Sequence, residues 1–489
     1  MSKFLFSKRD KPLMTATFEQ PGEARWSDVL WGVHAPVSAV LAGGIILHAI
    51  NINISATMLP TIVAEIGGQG LYAWNATLFT LAAILSAAVT GKILNRMDVK
   101  RSFALSGAVF ALGSLITALA PDMPVMLVGR SVQGAGGGMM FTLCYAMVIF
   151  AYPERLWSRA VALLSGTWGI AMLFGPAVGG TFAEYDIWRG GFAALIPVTA
   201  IYSLIAWRLL PTVGQTLPPA GPIAFGQLAL LAGAVLAVSM GSLAGSFAGA
   251  AAGIVVSIIL VLLLMRRENT SDIRLFPRGA MLGGTPLFLS FSVMSLLIFC
   301  VNAEFFMPFY LQRLHGLSPL VAGYIAALIS IGWSCAEVYS ARFTGKTMHR
   351  VVFAGPAVLL AGTLVLAVAT PAHDAAGAGL AGLLSLALIV VGAGIGLSWP
   401  HLNTFALQYT DASEKENAAS ALSTIQMFAV SFGTAVAGLV ANQTGFNTRN
   451  DIDATANSSA WLFLTFSLMA VLAWVASRSL IAKLKEAGK

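Results

Sequence analysis

The chain has 489 residues, 57% of them hydrophobic and 10% charged, with a mean hydropathy of +0.81 and a formal net charge of +7. A soluble domain carries about 25% charged residues, so there is too little polar surface here to face water. A secreted disulfide scaffold, a disordered chain and a cytosolic enzyme of ordinary make-up are excluded. The three cysteines, Cys144, Cys300 and Cys335, lie far apart in apolar runs. They offer neither a disulfide framework nor a thiolate metal site.

The first 34 residues are polar or mixed and open with MSKFLFSKRDKPL. They contain no long apolar stretch followed by a small-residue cleavage site, so no removable signal peptide is expected and the first span acts as the targeting signal. A helix crossing about 30 Å of hydrocarbon needs about 20 mainly apolar residues. Such runs occur at 35–62, 72–94, 102–120, 124–150, 160–183, 191–209, 223–242, 247–265, 281–311, 319–341, 351–370, 378–408, 418–440 and 460–477. Fourteen spans place both termini on the same side.

Loop charge sets the orientation, because cytoplasmic loops collect Lys and Arg. With the N-terminus inside, 24 of the 28 basic residues fall in inside segments. Arg189, Arg313 and Arg449 fall outside, and Arg130 lies within a span. One span more or fewer in the middle would destroy this asymmetry. The basic charge is therefore a topology signal and an anionic-lipid contact, and no nucleic-acid partner is expected.

The chain also repeats. SRAVALLSGTWGIAMLFGPAVGG (158–180) matches ENAASALSTIQMFAVSFGTAVAG (416–438) at 9 of 23 positions, with an offset of 258. The same offset aligns GAGGG (134–138) with GAGIG (392–396). The expected division is a cytoplasmic segment 1–34, a six-helix bundle 35–209 and a linker with two extra spans at 210–280. A second six-helix bundle at 281–477 and a cytoplasmic tail at 478–489 complete it. Duplicated helical units with a site at the midplane interface are a recurrent transporter plan.

Several motifs carry a resemblance. The loop after the second span reads GKILNRMDVKR (91–101), the fourth span RSVQGAG (130–136), the fifth GPAVGG (175–180) and the first NINISATMLP (51–60). With WRGGF (188–192) and RLFPRG (274–279), these resemble the major facilitator superfamily, specifically its fourteen-span drug:proton antiporters, over nearly the whole chain. The resemblance implies an all-α membrane protein of the major facilitator fold: two six-helix bundles plus two extra helices, with cytoplasmic termini. It implies a multi-pass, monomeric transporter of the inner (plasma) membrane. Its partners would be a small-molecule substrate, protons and lipid, with no cofactor and no metal. It also implies gating roles for Asn95, Arg96, Asp98 and Arg101 in the loop, and conformational roles for Gly175, Pro176, Gly179 and Gly180. The chain departs from the family pattern where the loop Asp is Asn95, where a later Gly is Asp98, and where the first-span Asp falls on Asn51. The usual first-span carboxyl is thus absent.

Read without the family, Arg130 costs about 2.5–3.5 kcal/mol at a helix centre. It needs a partner or a wet cavity, unless it snorkels to the outer surface. Glu304, in FCVNAEFFMPFYL, is the one acidic residue placed well inside a span. Low-dielectric surroundings disfavour a bare charge, which suits a proton carrier; a permanently protonated or hydrogen-bonded structural Glu, or one lying in the outer headgroup layer, is the alternative. His48 titrates near neutral pH when unperturbed and is the second proton-coupling candidate. His48, Asn51 and Ser55 share one helix face, with Asn53 on the neighbouring one. This polar stripe reads equally as a cavity lining or as interhelical bonding. Gln133, Asn302, Tyr310, Trp399 and His401 complete the expected substrate cavity. Glu337, near Arg342, reads as a gate or salt bridge. Pro176 with its glycines favours a bend or a sliding contact.

SARFTGKT (340–347) lacks the first Gly of a phosphate-binding loop and ends a span instead of following a strand. No GxSxG, HExxH or Cys/His cluster occurs, so no enzyme is expected. Two functions remain: proton-coupled efflux of lipophilic or cationic drugs, or export of an endogenous metabolite such as a siderophore or lipid-like compound, possibly anionic.

Overall fold

The computed structural model describes residues 25–210, 222–373, 377–411, 414–448 and 451–487. Among the described residues all regular structure is helical, as lipid requires of a chain that cannot close a barrel. A short helix α1 (Trp26–Leu30) precedes α2 (Ala35–Ile66), α3 (Trp74–Arg96), α4 (Val99–Ala118), α5 (Met123–Ala151), α6 (Trp157–Glu184) and α7 (Trp188–Leu209). The extra pair is α8 (Phe225–Ser242) and α9 (Phe247–Thr270). There follow α10 (Pro286–Val301), α11 (Met307–His315), α12 (Pro319–Ser340), α13 (Gly345–Ala369), α14 (Ala378–Gln408), α15 (Lys415–Gln443) and α16 (Ile452–Ala487). Among the described residues, fourteen helical segments are long and apolar enough to cross a membrane, with α10 and α11 counted as one. Each expected run overlaps one of them.

Local chemistry explains where the helices begin. Asp122, Thr285 and Ser318 each accept a hydrogen bond from the backbone N–H three residues on, and each stands just before a Pro in the first turn. Cap and Pro together satisfy donors that a helix start leaves open. Asp98 caps α4 by accepting from the Arg101 N–H at 2.7 Å.

The ninth span is not the single helix expected over 281–311. Residues 281–285 form a turn, and Asn302–Phe306 is a 3-10 segment between α10 and α11. Pro308 has no N–H and crowds the carbonyl of Glu304, four residues back. The Asn302 side chain bonds the Ile298 carbonyl at 2.8 Å, drawing it from the helical ladder.

The first six spans pack chiefly on one another, as do the last six. Within each set the glycine motif makes the same contacts. A Cβ on Gly134 would lie 2.1 Å from the Phe79 carbonyl oxygen, on Gly136 2.3 Å from the Phe110 nitrogen, and on Gly138 2.4 Å from the Ala83 oxygen. On Gly392, Gly394 and Gly396 it would meet the Ile329 oxygen at 1.8 Å, the Leu359 nitrogen at 2.4 Å and the Trp333 oxygen at 2.2 Å. Thus α5 fits against α3 and α4 as α14 fits against α12 and α13.

Across the sets, α6 meets α12 and α3 meets α15, and α8 covers the α3–α15 seam with Leu228, Leu231 and Val235. The contacts between sets gather toward the outer ends. A Cβ on Gly180 would lie 2.6 Å from Leu320 Cα. Asn442 donates to the Gly70 carbonyl at 2.8 Å, and Ser431 donates to the Thr77 carbonyl at 3.2 Å. At the inner ends Gly166 and Gly169 of α6 face open space, and Val338 of α12 is 79% exposed. The two sets are thus closed on each other at their outer ends.

Candidate functional site

Arg130 is buried in the first bundle. Its Nη1 donates to Gln133 Oε1, one turn along α5, and to Asn51 Oδ1 of α2 at 3.3 Å. Gln133 in turn donates to Ser114 Oγ of α4 at 2.8 Å. The guanidinium carbon lies 4.3 Å from the Phe79 ring centroid, on α3. Among the described residues no carboxylate comes within 4.0 Å of Arg130. His48 shares the Phe79 ring, with centroids 5.5 Å apart, and also meets Phe141 at 5.5 Å and Trp168 at 6.2 Å. The other polar residues of α2 are tied within the bundle: Ser55 donates to Asn75 Oδ1 at 2.8 Å, and Asn53 donates to its own Ala49 carbonyl at 2.9 Å. Asn53 also abuts Gly175, where a Cβ would come 2.3 Å from its own.

The second cluster surrounds the break in the ninth span. Glu304 lines an apolar crevice with Cys300, Ile329, Thr363, Leu388, Val391 and Phe463. Its volume of about 10 Å³ admits about one water molecule. Glu304 Oε2 has no hydrogen-bond partner in the protein. The crevice is the counterpart of the Arg130 cluster, since the glycine contacts pair Phe79 with Ile329, and the 258 offset pairs Arg130 with Leu388 and Gln133 with Val391. Arg130 and Glu304 thus occupy corresponding interiors, a cation in one bundle and a carboxyl in the other. Asn302 anchors the break to α15: its Oδ1 accepts from Thr434 at 3.2 Å, and its Nδ2 lies 3.4 Å from the Ala429 carbonyl. Tyr310 Oη and Ser458 Oγ are 3.1 Å apart.

A third group lies on the inner halves of α12 and α14. Trp333 Nε1 donates to Glu337 Oε2 at 3.0 Å, and the Trp333 and Trp399 rings meet edge-on at 5.1 Å. Glu337 forms no ion pair with Arg342, whose guanidinium instead stacks 3.9 Å from the Tyr339 ring centroid. His401 Nε2 lies 3.0 Å from Ser340 Oγ.

Of the residues read as gating, Asp98 and Arg101 form an exposed ion pair at 3.6 Å beside Asn95 and Arg96 at the inner end of α3. GPAVGG stands where three helices converge. A Cβ on Gly179 would lie 2.8 Å from the Ile54 oxygen of α2, and Pro176 borders Gly323 of α12. The helix stays continuous through Pro176.

One residue stands out that sequence reasoning missed. Tyr72, 1% exposed, inserts into a box formed by Phe305, Phe306, Phe309 and Phe446, with centroids 5.0–5.7 Å away. Gly67 and Gly68, at φ +74° and +80°, turn the chain toward it, a region that glycine enters without strain. That glycine pair just before an aromatic residue was the available signal.

The sequence model of the Major Facilitator Superfamily matches residues 41–438. A Mycobacterium tuberculosis protein named as a "probable multidrug-efflux transporter" is 32% identical over 474 residues, covering 95% of this chain and 98% of that one. Among solved structures, an inward-facing, unoccupied bacterial homologue of the lysosomal transporter Spinster aligns at a TM-score of 0.64 with 14% identity, over 91% of this chain and 97% of that one. A D-xylose–proton symporter aligns at 0.62, also with 14% identity, over 91% and 97%. Fold, match and relative agree: this multi-pass membrane protein is a transporter of the major facilitator superfamily.

Proposed function

We propose that this protein is a proton-coupled exporter of lipophilic, cationic compounds from the cytoplasm across the plasma membrane. In this reading the two six-helix bundles rock about the midplane, and Glu304 is loaded and unloaded with H⁺ as they do. The observation that carries it is the placement of Glu304 at the break of a discontinuous span, facing a crevice with room for about one water. Interrupted helices are where transporter folds bring coupling groups to the midplane. A carboxyl in such a place is a functional group by default.

The inner half of the molecule suits the cargo. Among the described residues Glu337 has no cationic partner there; it accepts from the Trp333 indole, which meets the Trp399 ring edge-on. Aromatic faces attract organic cations, the more so when desolvated. Phe141 and Trp168 supply apolar surface from the other bundle. The efflux relative in Mycobacterium tuberculosis supports the direction of transport. The expected test outcome is that Glu304→Gln abolishes resistance to a panel of cationic dyes in a host lacking its own pumps, at unchanged membrane expression. Full resistance in that variant would remove Glu304 from the mechanism.

A further inference from the structure

The Arg130 cluster is left unfinished by the protein itself. A guanidinium is a permanent cation with five N–H donors, and here it is 1% exposed with only two neutral amide oxygens, from Asn51 and Gln133, and one ring face against it. Three buried polar atoms of the cluster have no protein partner: Arg130 Nε, Asn51 Nδ2 and His48 Nδ1. Two of these are donors without an acceptor, beside a cation without a counter-charge. Buried charges are met by opposite charge or by metal, and a cationic site with idle N–H groups selects an anion. The corresponding position of the other bundle, Leu388, is apolar, so the fold does not itself require a charge there.

We propose that Arg130, Asn51 and His48 form an anion site that takes a chloride-sized inorganic anion or a single carboxylate group. The Asn51 side chain is the determinant. An Asp at this position would close an internal ion pair with Arg130, whereas the amide leaves the charge to an outside ligand and can turn to offer Nδ2 to it. The ligand is small because the cluster is tightly packed: a Cβ on Gly137 would lie 2.7 Å from His48 Nδ1. Its route is past Phe141 and Trp168, the ring neighbours of His48, which are partly exposed. The site is separate from Glu304 and does not depend on which cargo the transporter carries.

The test uses the purified full-length protein in detergent, with thermal unfolding followed by tryptophan fluorescence. Sodium chloride and sodium acetate are titrated separately at constant ionic strength against a bulky morpholine-sulfonate anion. An anion that binds the folded state alone raises the midpoint in a saturable way. The proposal expects such a rise in the unaltered protein and none in Asn51→Asp, which supplies the negative charge internally and starts from a higher midpoint. Saturation by chloride identifies a free inorganic anion, and saturation by acetate alone identifies the carboxylate of an organic ligand. Equal responses in the two proteins, or no saturable response to either anion, would overturn the proposal, whatever Glu304→Gln does to efflux.

Discussion

At the scale of single residues, the membrane interior is decided by where a few atoms have nowhere else to go. The glycines of GAGGG and GAGIG are the clearest case. A methyl group on Gly392 would sit 1.8 Å from the Ile329 carbonyl oxygen. That is backbone, which cannot rotate away, so α12 and α14 must separate. Overpacking of this kind costs typically about 1–3 kcal/mol. Gly392→Ala should therefore lower the unfolding midpoint measured by tryptophan fluorescence. Gly166→Ala, which meets nothing within 4 Å, should leave the midpoint unchanged or raise it. Removing a mid-helix glycine is worth about 0.5–1 kcal/mol when there is space. Equal losses at the two positions would mean that the close helix contacts are not what holds the bundles together. Sequence alignment at a common offset shows that these glycines correspond; only the packing shows which of them are irreplaceable.

At the scale of elements, the ninth span and the start of α3 belong together. Tyr72 is held by the rings of Phe305 and Phe306, which directly follow Glu304, and by Phe309 and Phe446. Aromatic pairs add about 0.5–1.5 kcal/mol each beyond their buried area, and truncating a large buried ring costs about 3–5 kcal/mol. Tyr72→Ala should thus weaken the outward-closed state strongly, while Tyr72→Phe, which keeps the ring, should not. Spin labels on the exposed Tyr185 and Val321, in a Cys335→Ser background, would report this as a longer outer distance in Tyr72→Ala alone. Unchanged distances in that variant would show that the box is not the latch.

The same element marks the limit of what the sequence discloses. An unbroken apolar run over 281–311 reads as one helix, because hydropathy records length and polarity but not continuity. Pro308 hinted at the break, yet proline is tolerated inside α2, α6, α7, α13 and α14 here without one. In the ninth span Asn302, six residues before that proline, is also tied outward to Thr434 and Ala429 of α15.

At the scale of the whole molecule, the fourteen spans and their orientation were legible because the bilayer imposes them. Twenty apolar residues per crossing and basic loops on one side are requirements of the solvent, visible in composition alone. The faces of those spans were not legible. Most sides are apolar, either toward lipid or toward neighbouring helices, and the polar stripe of the first span reads equally as lining or as bonding. Periodicity therefore did not reveal that Ser55 bonds Asn75, that Glu337 takes Trp333 instead of Arg342, or that Glu304 looks into its own bundle. The polar contacts between bundles also lie far apart in the chain. Ser431 and Thr77, or Asn442 and Gly70, become neighbours only once the two sets of helices close on the outer side.

Under the proposed function, cargo enters from the cytoplasm and a proton taken up from outside resets the transporter. The most direct measurement is proton flux in liposomes holding the purified transporter and a trapped pH-sensitive dye. Addition of a lipophilic cation should drive counter-movement of H⁺ in the unaltered protein. Glu304→Gln should bind the cation with similar affinity but move no protons. Proton movement of normal size in Glu304→Gln, or substrate transport in the unaltered protein with no accompanying H⁺, would contradict the account.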